Sequence, residues 1–145
     1  AHFLIFDEKN AEMLHGHNYY VKVSFHASSR KSLNQKGYLV DFSKLKSVVK
    51  NLCDQWDEHI LLPELHEDMK YVKNKKNYDV HFRDRFYSFP AKEVIWLPIN
   101  NTSVENLSGL FAQKLMEQVR GLGIEMLKIS IAETAGQSAT SVIKA

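Results

Sequence analysis

Between His17 and Ser28 the chain alternates with a period of two. His17, Tyr19, Val21, Val23, Phe25 and Ala27 share one face, and Asn18, Tyr20, Lys22, Ser24, His26 and Ser28 share the other. A strand with one buried face is the element that puts every second side chain on the same side. This stretch therefore commits the chain to a half-buried sheet. The same phase runs back through Gly16 to His15. Two imidazoles, separated by a residue without a side chain, thus enter the sheet on its apolar face. Together with His2 they make three imidazoles that one metal ion could gather. Zinc takes neutral imidazole nitrogens, and its catalytic sites keep three protein ligands and one open position. A His-x-His pair is a weak signal by itself, so the rest of the chain decides what it means.

The bulk properties exclude several classes. A length of 145 residues suits one domain and is enough to bury a core without a disulfide or metal staple. The formal charge of +2 is too small to argue for nucleic acid. The only cysteine, Cys53, rules out an internal disulfide and suits a reducing, cytoplasmic compartment. No apolar run approaches the ~20 residues of a membrane helix, and no signal peptide is visible. Ala1-His2-Phe3-Leu4-Ile5 reads as the second half of a strand whose first half precedes residue 1.

Downstream, a turn-rich stretch from Ser28 leads to a short strand, Gly37 to Phe42, expected to close an antiparallel hairpin. A helix follows from about Ser43, with Leu45, Val48, Val49, Leu52 and Trp56 at helical spacing. Asp41 and Ser43 are both plausible N-caps. The polar cluster Asp57-Glu58-His59 ends this helix. Residues 64–79, with Lys70, Lys73, Lys75 and Lys76, read as a solvated loop. A small hairpin is expected around Arg83-Asp84, and an extended piece over Glu93–Leu97.

Thr102-Ser103-Val104-Glu105 has capping-box spacing. It opens a second helix with Val104, Leu107, Phe111, Leu115 and Val119 as its buried stripe, ended by Gly121 and Gly123. Leu127, Ile129 and Ile131 then alternate with Lys128 and Ser130. Glu133 continues their buried phase, where a carboxylate is costly unless paired. A last strand runs from Ala139 to Ile143. Strands at both ends with helices between them make the class α+β with an antiparallel sheet.

These pieces, taken in order, resemble the 6-pyruvoyl-tetrahydropterin synthase and 6-carboxy-tetrahydropterin synthase family over nearly the whole chain. The resemblance is carried by Ala1-His2, by Leu14-His15-Gly16-His17-Asn18-Tyr19, and by Gly37 to Phe42 followed by Leu45-Lys46. Asn101 to Leu107 and Glu133-Thr134 complete it. Phe89-Pro90 to Leu97-Pro98 and Ala135 to Ala139 are similar to a longer branch, so the single domain 1–145 would carry a hairpin-containing insert near 64–98.

The resemblance implies the tunnelling fold, in which antiparallel sheets from several subunits close into a barrel. It implies a homo-oligomer, trimeric or hexameric, with active sites at subunit boundaries. It implies Zn2+ on His2, His15 and His17. The implied activity is a carbon–oxygen lyase acting on 7,8-dihydroneopterin triphosphate or a close pterin, eliminating triphosphate and rearranging or cleaving the side chain. Glu133 would bind the guanidine-like edge of this small-molecule substrate, with Thr102 and Ser103 beside it. No nucleic acid or membrane partner is implied.

Two departures stand out. The family's catalytic cysteine lies four residues before the first histidine of His-Gly-His, where this chain has Ala11. Some members use glutamate there, and Glu12 lies one residue later. A one-residue shift reverses the side chain in a strand but need not do so in a loop. The family's Leu-Asp-His relay reads Trp56-Asp57-Glu58-His59, with Asp57 in place and the histidine one position late. The catalytic candidates are therefore Asp57, His59 and Glu12. The alternative is a zinc- and pterin-binding member with little synthase activity.

Overall fold

The computed structural model describes residues 1–28 and 33–145. Residues 29–32, part of the expected turn, lie outside the described residues. In chain order the elements are β1 (Tyr20–Ala27), α1 (Phe42–Trp56), β2 (Ile60–Pro63), β3 (Met69–Asn74), β4 (Asn77–Phe82) and β5 (Arg85–Pro90). They are followed by β6 (Val94–Leu97), α2 (Val104–Val119), β7 (Ile124–Thr134) and β8 (Gln137–Lys144). Two compact units emerge, one of residues 1–17 and 56–103, the other of 18–55 and 104–145.

The first unit begins with a narrow hairpin. His2 bridges His15, and Ile5 bridges Ala11. The Asp7 carboxylate closes the turn by accepting the backbone N–H groups of Lys9 and Asn10. β2 and β6 pair in parallel, Ile60 opposite Val94 through Pro63 opposite Leu97. Parallel neighbours need a long crossover, and here the antiparallel meander β3-β4-β5 supplies it. Phe3, Ile5, Leu62, Met69, Val80, Phe82 and Val94 form the buried core of this unit, with Ala11 and Leu14 packed against it.

The second unit is a three-stranded antiparallel sheet in the order β1-β7-β8, with α2 packed on β7 and β8. Leu107, Phe111, Ala112, Leu115, Met116 and Val119 are buried on the helix, and Leu127, Ile129 and Ile131 on the sheet. Along β1 the exposed residues Tyr20, Lys22 and His26 interleave with the half-buried Val21, Val23, Phe25 and Ala27, as the alternation requires. Gly123, at φ +79°, ends the short 3-10 turn after α2 in the left-handed conformation that glycine adopts without strain. Among the described residues no helix is long and apolar enough to cross a membrane.

Two expectations are corrected. Gly37 to Asp41 is a turn rather than a strand, with Gly37 at φ +83° and Phe42 already in α1. The Asp41 carboxylate accepts both the N–H and the hydroxyl of Ser43, so the stretch ends as a helix cap. Residues 64–79 are not a loop, because most of the segment forms β3 and the start of β4, turning at Lys75 with φ +57°. Its lysines mark an edge strand. Only Met69 of β3 is buried, and charged side chains protect such an edge from further pairing.

Candidate metal centre and active site

The first unit brings His2, His15 and His17 together, their possible ligand nitrogens all within 4.8 Å of one another. The hairpin does this directly. His2 and His15 exchange backbone hydrogen bonds at 2.9 and 3.0 Å, so their side chains leave the same face. Two residues on, His17 returns to His15, Nε2 to Nε2 at 2.7 Å.

The orientations of the His2 and His15 rings follow from what each Nδ1 touches. His2 Nδ1 lies 3.1 Å from the Thr102 carbonyl and from the Thr102 hydroxyl. A carbonyl can only accept, so this nitrogen carries the proton and leaves the lone pair on Nε2. His15 Nδ1 is held in the same way by the Met13 carbonyl at 2.6 Å. Backbone acceptors behind metal-binding imidazoles set tautomer and direction in this manner. His2 is fully buried. Burial first, and then its neighbours His17 and His15, push its pKa down to about 4. It is therefore neutral at physiological pH, the form that binds a metal. His2 with its Nε2 lone pair, together with the converging nitrogens of His15 and His17, fits a zinc ion of the kind that takes three protein ligands and keeps a fourth position open.

The strand carrying His2 is pinned from the segment before α2. The Thr102 hydroxyl, fully buried, donates to the Phe3 carbonyl at 3.1 Å. Asn101 pairs with both the N–H and the carbonyl of Ile5, at 3.1 and 2.8 Å, as a neighbouring strand would. Ser103 occupies the residue before the first turn of α2. This bracing role of Asn101 and Thr102 was missed in the sequence, where Asn-Thr before a helix reads only as capping chemistry.

Glu12 stands beside the imidazoles. Its Oε2 accepts the Leu4 N–H at 3.0 Å and lies 3.6 Å from His15 Nε2. The two bridges are three residues apart on one strand, His2 to Ile5, but four apart on the other, Ala11 to His15. One extra residue is absorbed there, which re-aims the side chains as a bulge does. Ala11 consequently packs on the apolar core while Glu12 faces the histidines.

A family model described as 6-pyruvoyl tetrahydropterin synthase matches residues 1–142. The chain belongs to the 6-pyruvoyl tetrahydropterin synthase family. A Methanocaldococcus jannaschii protein, provisionally named 6-carboxy-5,6,7,8-tetrahydropterin synthase, is 32% identical over 139 residues, covering 94% of this chain and 83% of that one. Among solved structures, the Plasmodium falciparum 6-pyruvoyl tetrahydropterin synthase superposes with a TM-score of 0.85 at 31% identity, covering 99% of this chain and 89% of that one. The Plasmodium vivax enzyme matches with a TM-score of 0.87 at 27% identity over the same shares of the two chains. One form of the latter carries alanine in place of a glutamate described as a catalytic residue. The α+β class with two helices and antiparallel sheets is that of these synthases.

The remaining synthase candidates lie elsewhere. His59 follows α1, and its Nδ1 donates to the backbone carbonyl of Asp57 at 2.6 Å. The Asp57 carboxylate is exposed. Glu58 between them has φ +58°, a strained backbone for a residue with a side chain. The His59 carbonyl and the Leu61 N–H both contact Ala1, so this turn runs alongside the residue before His2. Glu133, in the second unit, falls where the β7–β8 register shifts between Ala132 and Thr134. It is half-buried there, as the extra residue of a bulge.

Proposed function

We propose that the chain is a zinc-dependent lyase acting on 7,8-dihydroneopterin triphosphate or a close pterin, eliminating triphosphate and rearranging or cleaving the side chain. The observation that carries this reading is the Glu12 carboxylate 3.6 Å from one of three converging imidazoles. His2, His15 and His17 would hold the ion, which when bound polarises substrate oxygens as a Lewis acid and so eases loss of a carbon-bound proton.

The protein's own groups do the rest. Glu12 is the proton acceptor, anchored by the Leu4 N–H before substrate arrives. That assignment agrees with the glutamate described as catalytic in the Plasmodium vivax enzyme. His59, with its Nδ1 proton committed to the Asp57 carbonyl, keeps Nε2 available to accept or return a second proton. Asp57 thus acts through its backbone rather than its carboxylate. Glu133 accepts the donor edge of the pterin in charge-assisted hydrogen bonds. Ser103, the residue just before α2, completes that recognition, while Thr102 serves His2. The enzyme is cytoplasmic and homo-oligomeric, its sheets joining copy to copy.

The test is triphosphate release from dihydroneopterin triphosphate by zinc-loaded wild type and Glu12→Gln. Loss of general base help predicts a fall of about 10²–10⁴-fold with zinc retained. Undiminished turnover in Glu12→Gln would remove Glu12 from the mechanism. Zinc and pterin binding with no turnover in the wild type would leave a non-catalytic binder.

A further inference from the structure

Arg85, the first residue of β5, reaches back to the N-terminal hairpin. Its two terminal nitrogens donate to consecutive carbonyls, Nη1 to Glu12 at 2.6 Å and Nη2 to Ala11 at 3.0 Å. These two carbonyls belong to the peptide groups on either side of the Glu12 Cα. The Ala11–Glu12 peptide is held again from its other end, where Glu12 N–H donates to the Leu4 carbonyl at 2.8 Å. With both flanking peptides tied, the backbone dihedrals of Glu12 are set, and with them the direction in which its carboxylate leaves the chain. The guanidinium is itself seated, its central carbon 5.4 Å from the Phe3 ring and 5.7 Å from the Phe82 ring. The tight turn at Arg83, φ +55°, places Arg85 opposite Phe82. Arg83 on the same turn ties the Asp7 carbonyl at 2.7 Å. The meander thus grips the hairpin at both its turn and its bulge.

We infer that Arg85 is a positioning residue for the reaction, the fork that aims the Glu12 carboxylate at the imidazole cluster. This rests on the reading of Glu12 as proton acceptor. A guanidinium suits the task because its rigid fork satisfies two adjacent carbonyls at once, which a lysine ammonium on a flexible stem does not do in fixed geometry. The irregular hairpin needs such a clamp, because its extra residue removes the regular ladder that would otherwise orient the segment.

The experiment is a double-mutant cycle on the zinc-loaded full chain, with Arg85→Lys, Glu12→Gln and the two combined. Arg85→Lys is expected to fold, to keep the wild-type zinc content, and to lose about 10²-fold in kcat, as a misplacement of ~1 Å costs. Its KM should move less than about threefold, an interaction lost only in the transition state leaving KM nearly unchanged. In the Glu12→Gln background it should cost nothing further, since the group it aims is gone. Wild-type kcat in Arg85→Lys with Glu12→Gln inactive overturns the inference alone. So do effects that multiply in the double variant, or zinc lost from Arg85→Lys. Arg85→Gln is the second variant. If neither it nor Arg85→Lys folds, the arginine is a core support and the inference falls. Full turnover in Glu12→Gln takes down the proton-acceptor reading first, and this inference with it.

Discussion

At the scale of residues, the position that departs from the family pattern explains itself once the hairpin is seen. Ala11 sits where a catalytic thiol is expected, yet its methyl group packs on the core formed around Phe3 and Phe82. Introducing a thiol there should add nothing. Ala11→Cys is expected to keep turnover within about twofold of wild type, since a half-buried thiol packed against apolar side chains, facing away from the imidazoles, stays protonated and inert. A large gain measured by triphosphate release would show that the side chain at 11 reaches the substrate.

His2 carries the second prediction at this scale. Its folded pKa is depressed to about 4 against 6.5 when unfolded. Above pH 6.5 both states are neutral at this site and it costs nothing. As pH falls from 6.5 toward 4, the unfolded chain takes up the proton first, so stability falls by up to ~1.4 kcal/mol per pH unit. Below that window this group contributes no further slope. Urea unfolding of metal-free protein should show the decline, and His2→Gln should flatten it. An unchanged midpoint between pH 7 and pH 4.5 would contradict the burial-driven shift.

At the scale of elements, the segment ahead of α2 works as a splint for the first strand. Thr102→Val keeps the carbonyl that faces His2 but removes the hydroxyl that binds both Phe3 and His2. Loss of such a supporting contact typically weakens metal binding 10–100-fold. About a tenfold drop in zinc affinity is expected in a chelator competition, with the helix content unchanged by circular dichroism. Equal affinity would show that the carbonyl alone orients the ring.

Most elements were legible from periodicity. The two helices, β1, β7, β8 and the turn at Arg83-Asp84 each have a long or well-punctuated pattern. The failures came where pattern is short or masked. Gly37 to Phe42 alternates like a strand, but the Asp41 carboxylate is better used capping α1. In β3 the lysines hide the strand, because an edge strand has little buried face to display. The parallel pairing of β2 with β6 joins segments thirty residues apart, which no local pattern encodes.

For the whole molecule, the three-stranded sheet ends on β1 and β8, whose outer edges have no strand partner among the described residues. Exposed Tyr20 on β1 and Val142 on β8 lie along those edges. Open edges of this length invite pairing with further strands, and a second copy of the same sheet is the proposed partner. Sedimentation velocity is expected to give a trimer or hexamer at micromolar concentration, with turnover lost on dilution to monomers. A fully active monomer would count against sites shared between subunits.

The amino-acid order alone determined the α+β class, the family and the three histidines, because alternation, helical spacing and ordered motifs are local properties of a chain. It did not determine that Ala11 faces the core and Glu12 the imidazoles, since a strand and a loop give opposite answers for the same residues. The tertiary structure decided that through the extra residue between Ala11 and His15. It also recruited Asn101, Thr102 and Arg85, whose backbone partners lie more than seventy residues away along the chain. Directing a carboxylate or a lone pair requires anchoring from several directions, and only folding brings such distant donors and acceptors within hydrogen-bond reach.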